Sequence, residues 1–408
     1  AGRLLKMSSY LELIRFEYNK ILRKKSTIIT LVLGIILTAL ISVGPLMGYS
    51  YINGEKFESN YEGMKKDREY IRALSGREIN KTLLAEAIEA YSKIPLTGGR
   101  YTDTDEYQKY ARPYSEIYYF IRLVYGINSI SELTSVTGES LDCFYEIRQD
   151  RIEKIIESTA MSPKEKAYSI DLSRKVNTPF IYSYTDGYKR FFTQMYVAAF
   201  LACFVCTVCI SPIFAGEYAD RMDGFVFSSR YGRNRMIGAK LFTGITFTVL
   251  LCLIITVVSY ITVMAFFGWD GADSPVQFYF PLSIVPYSMG EAALLYSVLV
   301  LSGNMLSSSL TMFLSSKLKS PFAVIVIMTA ISTFPLYISV SDNVLWVYHL
   351  LNLIPVRMFS LDNITGVFSV DILGLVIRPF GLIISFAAAA SIVLVLSAYR
   401  SFRKGCKE

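Results

Sequence analysis

Few residues in this chain are able to do chemistry, and most of them lie in or beside long apolar runs. Cys203, Cys206 and Cys209 repeat at the C-x2-C-x2-C spacing of a thiolate metal site. No carboxylate or histidine lies near them, so small side chains packing between helices is the reading adopted. Of the other three cysteines, Cys252 is also in an apolar run, while Cys143 and Cys406 stand alone in polar sequence. The only histidine is His349, in Trp346-Val-Tyr-His-Leu-Leu, where packing against apolar neighbours is expected. A histidine-based triad or zinc site would have to be built on that one residue. No G-x-x-x-x-G-K-[ST] phosphate loop occurs, and the nearest candidate, Gly232 to Lys240, has the wrong spacing and follows no strand. Two charged features remain. One is the segment 215–241, AGEYADRMDGFVFSSRYGRNRMIGAKL, with Glu217, Asp220, Arg221 and Asp223 ahead of an apolar Phe225-Val226-Phe227 insert. The other is Glu291, alone between apolar stretches.

The elements that must position these residues are membrane spans. Six uncharged apolar runs, at 26–54, 191–216, 241–269, 292–316, 320–341 and 379–399, are each of bilayer-crossing length. A span needs about 20 apolar residues. The 408-residue chain is 52% hydrophobic and only 18% charged, and its charge crowds into 55–190. The expected fold class is therefore an all-α polytopic membrane protein with six transmembrane helices. A mainly helical extracellular domain is inserted between helices 1 and 2. The expected parts are an N-terminal interfacial helix at 1–25, span one at 26–50, the domain at 51–190 and span two at 191–216. A cytoplasmic segment at 217–240 leads to span three at 241–269, span four at 284–316 and span five at 320–341. Outer re-entrant or interfacial helices at 342–377, span six at 378–400 and a tail at 401–408 complete the chain.

Orientation follows from positive charge in short loops. Arg15, Lys20, Arg23, Lys24 and Lys25 precede span one; Arg221, Arg230, Arg233, Arg235 and Lys240 follow span two. Lys317, Lys319, Arg400, Arg403, Lys404 and Lys407 fall on the same side, whereas 270–283 is acidic and has no lysine or arginine. Both termini are expected on the inner side of the membrane, and the inserted domain outside. The net charge of +7 is thus a topology signal and not a nucleic-acid footprint. The first run is too long for a signal peptide and lacks a cleavage site.

Residues 8–25 read as an amphipathic surface helix. In the inserted domain, 80–91 and 140–158 read as helices, and Ser162-Pro163 as a helix start. Tyr101, Tyr107, Tyr110, Tyr114, Tyr118, Tyr119 and Tyr125 form either a contact surface or the water-facing edge of a small core. Glu291 reads either as a cationic-substrate contact or gate at the outer mouth, or as a boundary residue paired with Arg357 or Arg378. In 215–241, positive-inside flanking explains the basic residues but not the paired acids or the Phe-Val-Phe insert. Those fit a short amphipathic helix that sets Phe225 and Phe227 into a partner's groove.

On these residues the chain resembles the permease subunits of ABC transporters of the ABC-2 type. In that family a Glu closing the second span is followed by a Gly-Thr-like step, a short apolar stretch, a small-residue and Arg turn, and a Gly-x-Lys entering the third span. Glu217, Gly224, Phe225 to Phe227, Ser228-Ser229, Arg230 or Arg233, and Gly238-Ala239-Lys240 stand in that order, with Asp223-Gly224-Phe225 in place of the usual Gly-Thr. The resemblance covers the membrane body and not 51–189. It implies pairing with a second permease chain as a homodimer in a bacterial plasma membrane, and docking of two cytoplasmic ABC ATPase subunits on the segment after span two, 217–240, as the coupling helix. ATP and Mg would then bind on those subunits, with no cofactor in this chain. The implied function is outward movement of amphipathic peptide or drug-like cargo, of the bacteriocin or antibiotic resistance type. A different class of function is a sensory module, in which the outer domain binds a ligand and the membrane body signals.

Overall fold

The computed structural model describes residues 2–52, 54–95, 100–136, 138–229, 232, 234–338 and 344–404. The chain opens with α1 (Gly2–Leu22), which turns at Arg23 and Lys24 into α2 (Lys25–Val43). Gly44 and Pro45 end that span in a 3-10 turn, earlier than residue 50, and a hairpin of β1 (Tyr49–Ile52) and β2 (Glu55–Ser59) follows.

The inserted domain carries α3 (Asn60–Leu74), α4 (Lys81–Ser92), α5 (Ser115–Tyr125), α6 (Gly138–Asp142), α7 (Phe144–Ser158) and α8 (Pro163–Ser173). Local chemistry starts these helices where they start. Ser59 with Glu62 and Ser162 with Glu165 make reciprocal capping boxes, and the Asn80 side chain accepts from Leu83 N. The tyrosines divide. Tyr91 stacks on Tyr118 at 3.9 Å between ring centroids, with Tyr101 and Tyr107 edge-on to Tyr91, and these rings form a core. Tyr110 and Tyr119 are exposed.

The membrane body follows as α9 (Asp186–Ile210), α10 (Pro212–Ala219), α11 (Asp223–Ser228), α12 (Arg235–Phe267), α13 (Met289–Lys317) and α14 (Pro321–Thr333). After it come α15 (Leu345–Leu351), α16 (Pro355–Met358), α17 (Asp362–Thr365) and α18 (Pro379–Lys404). Among the described residues, five helices are long and apolar enough to cross a bilayer: Lys25–Leu46, Asp186–Ala219, Arg235–Phe267, Met289–Lys317 and Pro379–Lys404. That is the pattern of a multi-pass membrane protein.

Several expected boundaries move for identifiable reasons. The run at 320–341 yields a shorter apolar helix, Pro321–Tyr337, whose last turn tightens to 3-10 at Pro335. The second span breaks at Ser211 and Pro212. Ser315 of α13 mends the break: its hydroxyl donates to Ser211 O at 2.7 Å and accepts from Phe214 N and Ala215 N. Residues 284–288 are not helical, and α13 begins at Met289. Within the stretch 342–377 expected as outer helices, the last residues instead form a hairpin of β3 (Val370–Ile372) and β4 (Leu375–Ile377). Its turn is Leu373-Gly374, both at positive φ (55° and 92°), the geometry of a two-residue hairpin turn.

The inserted domain is clamped to the body. Arg148 of α7 is buried and donates to Pro281 O at 2.8 Å and Ser283 O at 2.9 Å. Ser169 of α8 meets Ser369 at 2.8 Å, and Glu165 accepts from Asp371 N at 2.7 Å.

Candidate functional site

Glu217 and Lys240 meet at the end of the bundle that holds the last turns of α18, termed the basic end below. Glu217 lies in the last turn of α10 and Lys240 in the second turn of α12. Lys240 is 0% exposed, and its Nζ lies 2.6 Å from Glu217 Oε1 and 2.9 Å from Glu17 Oε2. Lys20 Nζ approaches the same Glu217 oxygen at 2.5 Å. Two lysines and two carboxylates thus tie together α1, α10 and α12. Desolvating such charges costs several kcal/mol per ion, and close pairing is what repays it. Helix α1 is held along α12 by a further bond, Tyr18 OH to Thr246 Oγ1 at 2.6 Å.

Glu17 and Lys20 were not singled out as site residues from sequence. The available signal was their spacing: three residues apart on one helix, they share a face, and Glu17 is an acid within a basic flank.

From Glu217 the chain reverses. Arg221 takes φ 55°, a conformation few non-glycine residues adopt, and Met222 N donates back to Glu217 O at 2.8 Å. The short α11 follows. Val226 is buried and anchors it, while Phe225 is 72% exposed and Met222 is also exposed. Phe225 and Met222 are thus uncovered apolar side chains on a helix tied one step from the ion cluster. Asp220, Arg221 and Asp223 make no ion pair among the described residues. Gly224 has an ordinary φ and open space around it, so nothing in the structure explains a glycine there. Gly232 is different: a Cβ there would sit 1.6 Å from Val226 O, so the loop passes α11 too closely for any side chain. Phe227 belongs to α11 by its backbone, and its side chain lies outside the described residues, as does Arg230.

Glu291 is not brought to this site. It lies at the opposite end, exposed, in the first turn of α13. Ser288 Oγ accepts from Glu291 N at 3.2 Å, and Glu291 Oε2 accepts from Ser288 N at 2.9 Å. Glu291 therefore caps a helix, a role written in the sequence as Ser288-x-x-Glu291. It pairs with neither proposed arginine. Arg378 donates to the carbonyls of Ile364, Gly366 and Phe368, and Arg357 to those of Pro335 and Ile338.

Cys203, Cys206, Cys209 and Cys252 are buried between helices, with Cys203 Sγ 3.0 Å from Ser307 Oγ. Among the described residues, no three metal-ligating side chains come together. His349 is half-buried beside Phe368, and burial pulls its pKa below the usual histidine value. Set against protein families, curated proteins and solved structures, the chain has no match.

Proposed function

We propose that this chain is the permease subunit of an ATP-driven ABC exporter of the ABC-2 type, with Pro321–Tyr337 as a sixth, short crossing. The observation that carries the reading is the exposed Phe225 on a helix tied to a buried Lys240–Glu217–Glu17 cluster. A partner that grips Phe225 and Met222 from the cytoplasm moves α11. Through Met222 N and Glu217 that push reaches α10, and through Lys240 and Glu17 it reaches α12 and α1. The cluster is stiff because parting its charges in a buried setting is costly. Two cytoplasmic ATPase subunits, holding ATP and Mg, would supply the push to a pair of identical permease chains. Cargo is amphipathic peptide or drug-like, moved outward.

A second reading, the sensory module, is favoured by one observation: Arg148 fastens the inserted domain to the membrane body, which gives a bound ligand a route into the spans. Vesicle transport separates the two. The exporter reading expects ATP-dependent cargo accumulation that Phe225→Asp abolishes while the complex stays folded. Transport unchanged by Phe225→Asp removes the coupling assignment, and no ATP-dependent transport by the wild type favours the sensor.

A further inference from the structure

At the end of the body opposite the ion cluster, a cavity of about 440 Å3 opens where the returning strand of the inserted domain meets the loop before α13. Phe180, Ile181, Asp273, Gln277, Tyr287 and Glu291 line it. No lysine, arginine or histidine does. Arg148, stacked over Phe180, gives its donors to the carbonyls of Pro281 and Ser283. Neither Asp273 nor Glu291 is ion-paired among the described residues. Glu291 uses Oε2 for the helix cap, leaving Oε1 free of that bond.

The lining supplies a separate observation. Gln277 is 0% exposed, and its amide nitrogen donates to Ser283 O at 3.1 Å and Val285 O at 2.9 Å. Those bonds fix the amide's orientation. Its Oε1 is buried with no partner. A buried acceptor without a donor is unfavourable, so a donor is what this position lacks. The cavity thus has two carboxylates at its rim, Gln277 with its unpartnered Oε1 in its lining, and apolar walls from Phe180, Ile181 and Tyr287. Its volume falls in the small-ligand range.

We infer that this cavity is a binding site for a cationic amphipathic molecule, an ammonium or guanidinium group joined to an apolar body. The cation lies between Asp273 and Glu291, a donor N–H reaches Gln277, and the apolar part packs on Phe180 and Ile181. Such a ligand bridges the inserted domain and the membrane body, already joined beside the cavity by Ser183 and Ser274 hydroxyls at 2.6 Å. The site goes beyond the permease reading and does not depend on it, because binding needs no ATPase.

The test is calorimetric titration of the full chain in lipid nanodiscs with phenylalanyl-arginine amide, a dication. Its control is acetyl-phenylalanyl-citrulline amide, of similar shape and uncharged. The expected result is salt-sensitive binding of the dication, about tenfold weaker in Asp273→Asn and again in Glu291→Gln. The neutral control does not bind. Gln at 291 retains the capping-box chemistry, so α13 keeps its start. Equal binding of the neutral control, unchanged affinity in the double variant, or no dication binding to folded wild-type chain overturns the site.

Discussion

The two ends of the membrane body both bury strong cations, and they satisfy them in opposite ways. At the basic end, Lys240 and Lys20 meet the carboxylates of Glu17 and Glu217. At the domain end, Arg148 and Arg378 meet only backbone carbonyls, and burial pulls the Arg148 guanidinium down to about 10. A carbonyl clamp has one geometry, set by the fork of the guanidinium and the fixed path of the chain. A cluster of two ammoniums and two carboxylates is held instead by charge on both sides. Glu17 Oε1 has no partner, and Lys20 is partly exposed, so this cluster has an acceptor to spare. The contrast teaches what each end joins: the domain end fastens the inserted domain to a loop by carbonyl clamps, and the basic end ties three helices together by paired charges.

The largest expected effect breaks that contrast at the basic end. Lys240→Met leaves two buried carboxylates to one lysine and should destabilise by about 3–5 kcal/mol. Thermal unfolding in nanodiscs would read it, and adding Glu17→Gln should restore part of the loss. Next is Arg148→Met, which strands the Pro281 and Ser283 carbonyls at about 1–3 kcal/mol. Hydrogen exchange should then rise in 276–288 and leave 235–245 unchanged; a loss spread over both regions would break the view of two separate ends.

Acid sharpens the comparison further. Burial pushes the Glu58 carboxyl up, but hydrogen bonds from Lys66 and Arg112 outweigh it and hold it below the usual range. The Arg77 fork, at 2.8 and 2.7 Å, lowers Glu86 likewise. For such depressed carboxylates the stabilisation is present above the ordinary carboxylate pKa and is lost as pH falls through it and below. Tyrosine fluorescence of the inserted domain should therefore change between about pH 5 and 3, and charge-neutral Glu58→Gln should flatten that change. The smallest effect belongs to Phe225→Asp. An exposed side chain on a short helix should alter stability by no more than about 0.5 kcal/mol, seen as an unchanged melt, whatever happens to partner binding.

How much of this was legible in sequence depends on the range of the interaction. Spans announce themselves through some 20 apolar residues in a row, so five long helices fall where apolar runs predict them. Glu217 and Lys240 stand out by residue type and spacing, but the second partner of Lys240 is Glu17, 223 positions away, and nothing local encodes that contact. The hairpin at 370–377 was misread because a short apolar run fits helix and strand equally. Its Leu373-Gly374 turn was the cue that decides. Glu291 reads as a charge between apolar stretches, yet Ser288 three residues before it already spells the capping box that holds it.

The central claim is that α11 is gripped by a separate ATPase. A photo-cross-linking residue placed at Phe225 in the full chain, activated in native membranes, tests it most directly. The account predicts adducts with a nucleotide-binding chain that appear or shift with ATP and vanish when the cross-linker is moved to Phe334 at the far end of Pro321–Tyr337. Adducts with lipid alone, or with no nucleotide-binding chain under any condition, would contradict it.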